Sequence, residues 1–192
     1  GFTLMGCVSL TLNFFFPLSN YINSLFFILL ILSLFIFKKN INKKKIIYNF
    51  ICLLIISILA FILIYKSNIN RPDAGLYHLP FTKILNEEKI IFGLVNLHFR
   101  FGHTSIVQYI NAFHNNFLLG ANGILFPIAV LVSTFIIFVG NEIKKQILEK
   151  NYYNQFFLIL LFLFSITFLE RYSNYGNDAG GYIFSVLSII YF

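Results

Sequence analysis

Charge is scarce in this sequence. Only 11% of its 192 residues are charged, against about 25% in an ordinary soluble domain. So few charged groups cannot coat a water-facing surface. The formal net charge is +7. That excess does not point to nucleic acid, because the lysines gather in short segments beside apolar runs, where they act as topology signals. Cysteine is scarcer still, with two residues. Cys7 and Cys52 both fall within apolar runs, where a thiol is expected to behave as a small buried hydrophobe. With no compact extracellular framework around them, a disulfide is not expected. Internal repeats and heptads are lacking. So are a start methionine and a charged leader segment, and the last apolar run stops at Phe192 after about half of what a bilayer crossing needs. The chain therefore reads as a fragment truncated at both ends.

Apolar residues are what it has in abundance, at 58% of the chain. They fall in stretches at 2–16, 21–37, 46–65, 117–140 and 156–169, with a last one opening at Tyr182. Runs of this kind approach the roughly 20 residues that cross a bilayer core. The fold expected is an all-α membrane protein of about six transmembrane helices, the terminal ones truncated, forming a single transmembrane domain over 1–192. Lysines cluster at 38–45 and again at Lys144, Lys145 and Lys150. By the positive-inside rule both clusters belong to the cytoplasm, which places segments 66–116 and 170–181 outside. The abundance of Ile, Phe, Asn and Lys fits an AT-rich bacterial genome, and the location expected is a bacterial inner membrane.

Segment 66–116 holds the chemistry-bearing residues. Asp73, Arg100 and all four histidines of the chain (His78, His98, His103 and His114) lie there. Pro72 and Pro80 limit helix on either side of Asp73, and Pro80 suits the first position of a short helix running to Glu88. Phe81, Ile84, Leu85 and Glu88 then share a mostly apolar face, suited to a membrane surface. Ser105 and Gln108 have capping-box spacing, so a second helix begins at Ser105. The stretch between, Phe92 to His103, is too rich in aromatic and aliphatic groups to be disordered.

Three readings of this loop compete. Asp73 could act as a general base or metal ligand, with His78 or Arg100 contacting an anionic donor. The histidines could build a metal site, although their spacing matches no compact ligand motif. Or Asp73 caps a turn and the histidines are satisfied interfacial residues. Asp178 lies in the second outer segment, just before the last apolar run. Two carboxylates on one side could share a divalent metal or divide base and binding roles, and an Asn177-Asp178 helix cap is an equally good local account.

Asp73-Ala74-Gly75-Leu76-Tyr77-His78-Leu79, followed by Gly93-Leu94-Val95-Asn96-Leu97-His98-Phe99-Arg100-Phe101-Gly102, resembles a group of bacterial multi-pass proteins. Their first large outer loop carries D-T-G-L-Y-H-L and then G-L-G-N-L-H-G-R-L-G. That group in turn resembles the GT-C class of membrane glycosyltransferases. The resemblance covers about 46–192, and its step to glycosyl transfer is a fold-level analogy. It implies a polyprenyl-phosphate sugar donor, a cell-envelope acceptor, Asp73 as the catalytic carboxylate, and Tyr77, His78, Asn96, His98, Arg100 and Asp178 as substrate-binding residues. Ala74, Val95, Phe99 and Asn177 depart from its pattern. The rival classes are a transporter or flippase of lipid-linked glycans, which would carry ionisable groups inside its spans, and a non-catalytic assembly protein.

Overall fold

A computed structural model describes residues 1–36, 43–67, 73–102, 105–167 and 178–191. Lysine-rich residues 38–42, Arg71, Pro72, His103 and most of the second outer segment, 170–177, lie outside that set. Among the described residues every regular element is helical: α1 (Phe2–Phe15), α2 (Asn20–Ile36), α3 (Lys43–Ser67), α4 (Leu79–Glu87), α5 (Ile106–Phe113), α6 (Phe126–Leu148), α7 (Tyr152–Thr167) and α8 (Asp178–Tyr191). A π-helical turn, Ala74–His78, leads into α4, and 3-10 turns cover Leu94–Asn96, Phe99–Gly102 and Gly120–Leu125.

The chain forms two compact units. The first comprises Gly1–Ile47, Asn70–Pro127 and Tyr175–Asn177. Its core is Leu18, Phe81, Leu85, Tyr109, Ala112 and Phe113, with Met5, Phe26, Leu94 and Phe101 packed against it. Helix α1 ends where Pro17 forces Phe16 into an extended conformation. That puts Leu18 into the core, where its N–H donates to the Leu85 carbonyl at 2.8 Å. Buried asparagines then tie the α1–α2 turn down. The Asn23 amide donates to the carbonyls of Leu18 (2.7 Å), Ala112 (3.0 Å) and Asn115 (2.9 Å). Asn86 donates to two of the same oxygens, Leu18 at 2.7 Å and Ala112 at 2.9 Å. Asn13 donates to Glu88 at 3.0 Å. Carbonyls at helix ends have no partner of their own, and these side chains supply it inside an apolar core.

The second unit comprises Tyr48–Ile69, Ile128–Asn174 and Asp178–Phe192, and within it α7 and α8 pack on each other. Its hydroxyls are satisfied locally. Ser133 donates to Ala129 at 2.6 Å and Ser165 to Leu161 at 2.8 Å, so neither needs a distant partner in an apolar helix.

Two helical stretches are long and apolar enough to cross a bilayer, Tyr48–Lys66 and Gly120–Leu148. Only 11% of the first is buried. A soluble core helix would be largely buried, so Leu54, Ile58 and Leu63 present an apolar surface outward. Four further apolar stretches, Phe2–Phe15, Asn20–Leu32, Tyr152–Ser165 and Ala179–Ile190, are shorter at 10–17 residues.

Two local readings change. Helix does not stop between the prolines: the chain is helical from Asp73 through Glu87. The Leu79 N–H reaches back to the Ala74 carbonyl, a π-type bond. That widened turn lets the chain carry Pro80 without the ring striking the carbonyl of the preceding turn. Cys7 is exposed, not buried, because it faces outward from α1; it and Cys52 are free thiols.

Candidate functional site

The motif residues of the long loop all belong to the first unit. Asp73 is exposed at the N-cap of the π turn, and its carboxylate makes no capping hydrogen bond. About one turn later come Tyr77, half-buried, and His78, buried at 8% exposure. Their rings lie 4.1 Å apart.

The second motif segment folds as two 3-10 turns. Gly93 starts the first with φ at 86°, a left-handed conformation that favours glycine. The Asn96 N–H then donates to the Gly93 carbonyl at 2.9 Å, leaving the Asn96 side chain exposed. Gly102 lies against the Val95 side chain, where a Cβ would come within 3.0 Å. The His98 ring stacks on Phe99 at 5.2 Å and tilts on Phe101 at 5.5 Å. Its Nδ1 accepts from the Arg100 N–H at 3.2 Å.

Arg100 joins the two segments. Its guanidinium sits 5.3 Å from the Tyr77 ring centroid and 5.2 Å from that of Phe99. A cation over an aromatic face gains roughly 0.5–1 kcal/mol at an exposed site, and the planar head keeps its donor edge for an anion. Phe101 continues the contact inward, 5.9 Å from Phe81.

Below this surface, α5 begins as the spacing predicts. Ser105 caps it and the Ser105–Gln108 capping box is complete: Val107 N–H donates to the Ser105 hydroxyl at 3.2 Å, and Ser105 N–H to Gln108 Oε1 at 3.1 Å. The other end of the Gln108 amide contacts His78 Nδ1 at 3.2 Å. Sequence reasoning found Gln108 only as a cap. Its second contact is 30 residues away along the chain, and no local signal marks it. Also unforeseen are the buried asparagines; an Asn inside an apolar run, as at Asn13, is the signal that could have found them.

Tyr77, His78, His98 and Arg100 are thus linked by contact, Asp73 lies one turn from Tyr77, and Asn96 is on the same loop. His114 lies elsewhere, at the end of α5: its Nδ1–H donates to the Ile110 carbonyl at 2.7 Å, and Phe126 flanks its ring at 5.8 Å. Burial pushes its pKa down, partly offset by that hydrogen bond. Burial likewise pushes the pKa of the Tyr109 phenol up. Asp178 is the first residue of α8, and its side chain lies outside the described set. Among the described residues no three His, Cys, Asp or Glu side chains converge as metal ligands. An apolar cleft of about 310 Å³ opens beside the site, lined by Phe81, Leu85, Tyr109, Leu94 and Phe101 with Lys89 among its residues.

Residues 1–192 match the family described as Domain of unknown function (DUF8201). The chain belongs to that family. No curated protein and no solved structure matches it.

Proposed function

We propose that this chain is a multi-pass membrane protein of the bacterial inner membrane. In this reading it transfers a sugar from a polyprenyl-phosphate donor to a cell-envelope acceptor on the outer face, as a GT-C-like glycosyltransferase. The observation that carries the reading is the contact of Arg100 with Tyr77. It joins the two motif segments into one surface with Asp73 about a turn away. Such transfer needs a carboxylate to take the proton of the acceptor hydroxyl, the role of Asp73. It also needs cationic and hydrogen-bonding groups at the departing phosphate, the role of Arg100.

The membrane part of the reading draws on the outward apolar surface of Tyr48–Lys66 and on the length of Gly120–Leu148. The four shorter apolar helices count as further crossings. Phe92 and Leu97, 87% and 79% exposed, suit an interface with lipid. The apolar parts of both long helices hold no Asp, Glu, Lys, Arg or His; their charges are at the ends, Lys66, Glu142, Lys144 and Lys145. A transporter would line a path with such groups, so an enzyme is the better fit.

The test is transfer from labelled polyprenyl-phosphate sugars by the full-length protein in lipid nanodiscs, with and without divalent metal. Asp73→Asn should abolish transfer while membrane insertion is unchanged. Wild-type transfer by that variant would remove Asp73 as the base.

A further inference from the structure

Both motif histidines use Nδ1 as an acceptor, for two independent reasons. At His98 the partner is a backbone N–H, which can only donate (Arg100, 3.2 Å). At His78 the partner is the Gln108 side chain, whose amide orientation is fixed from the other side. Gln108 Oε1 must face the Ser105 N–H to complete the capping box, so its Nε2 faces His78 and donates. A neutral imidazole that accepts at Nδ1 carries its proton on Nε2. Protonating His78 at Nδ1 would require the Gln108 amide to turn over, breaking the cap of α5.

We propose that Gln108 and the Arg100 backbone hold both motif histidines as Nε2–H tautomers, so that the His98 ring and the Arg100 guanidinium, at the surface, form a donor-only site for a phosphoryl group. Gln108 is a positioning residue. The phosphoryl assignment rests on the proposed function; the tautomers do not. It follows that neither histidine serves as the base, which leaves proton abstraction to Asp73. The chain itself supplies the asymmetry: an Asp73 carboxylate that accepts, and a His98 ring and an Arg100 guanidinium that donate.

The experiment uses the full chain, labelled with ¹⁵N-histidine in detergent micelles, with His78 and His98 assigned from His78→Gln and His98→Gln variants. Two-bond ¹H–¹⁵N spectra of the wild type should show an unprotonated Nδ1 and a protonated Nε2 for both rings. A protonated Nδ1 in either ring overturns the proposal with no variant needed. Gln108→Glu keeps an acceptor for the Ser105 N–H but replaces the donor facing His78 with a carboxylate oxygen. In that variant His78 Nδ1 should become protonated while His98 is unchanged, and an unchanged His78 overturns the role of Gln108. Inorganic phosphate and citronellyl phosphate are then titrated, with citronellol and sodium chloride as controls. A shift of the His98 ring signals by both phosphates means the phosphoryl group alone is recognised; a shift by citronellyl phosphate only means that the chain is needed as well. No response to either, or an equal response to citronellol, overturns the phosphoryl assignment. If the tautomers are as expected while the transfer assay is blank, the glycosyltransferase reading fails and the histidine lock stands.

Discussion

Two buried histidines in the first unit hold their rings by the same atom used in opposite senses. His114 Nδ1 faces the Ile110 carbonyl and must donate; His78 Nδ1 faces an amide N–H and accepts. The sequence collects the histidines into one loop but cannot sort them, because each ring's state is set by what the fold brings to it. For His78 that partner is 30 positions away; for His114 it is the Ile110 carbonyl on its own helix, together with burial. The lowered His114 pKa has a thermodynamic consequence. Its ring prefers the neutral form when folded, whereas in the unfolded chain it titrates near 6.5. Between the folded and unfolded values the unfolded state binds more protons, so stability rises with pH there. The contribution is complete above about pH 6.5 and is lost as pH falls below it. Unfolding midpoints measured from pH 8 to 5 should therefore drop at the acid end. The drop should be smaller in His114→Gln, and an identical slope in that variant would assign the acid loss to other groups.

At the scale of elements, α5 was legible because its start is a local signal: Ser105 and Gln108 are three residues apart and each caps the other's backbone. The turn before α4 was not, since a π turn depends on how the chain accommodates Pro80 and leaves no composition mark. The 3-10 turn at Gly120–Leu125 sits between these cases. Gly120 and Asn122 signal an interruption, but the need for Gly123 is purely tertiary. A Cβ there would fall on the His114 carbonyl oxygen, a backbone atom that no rotamer change can move aside. Gly123→Ala should cost about 1–3 kcal/mol, the usual range for overpacking a tight site. Thermal unfolding in detergent reads this directly; an unaltered midpoint would mean that the turn shifts without cost.

For the whole molecule, the sequence conveyed the helical class through the spacing of apolar runs, and it located α3 within about three residues at each end; α6, at Phe126–Leu148, instead begins and ends about eight or nine residues later than the apolar stretch 117–140. It could not show that the chain divides into two units whose segments alternate along it, because such a division is made of contacts between distant residues. The orientation argued from the lysine clusters is testable at this scale. In a chain with Cys7 and Cys52 replaced by serine, single cysteines at Leu97 and at Lys145 should behave oppositely in intact cells. A membrane-impermeant maleimide should label position 97 and leave position 145 unlabelled until the membrane is opened. Labelling at both positions, or the reverse pattern, would overturn the topology.

The asparagine clamp bears on the order in which the protein is made. Asn23 leaves the ribosome before two of its acceptors, the carbonyls of Ala112 and Asn115, which follow 89 and 92 residues later. Until they arrive, the Asn23 amide has only the nearby Leu18 carbonyl, which Asn86 will later share. The first two helices therefore cannot reach their final burial as the nascent chain emerges. They wait for α4 and α5, so α1 and α2 complete their native contacts only after residues 112–115 have emerged.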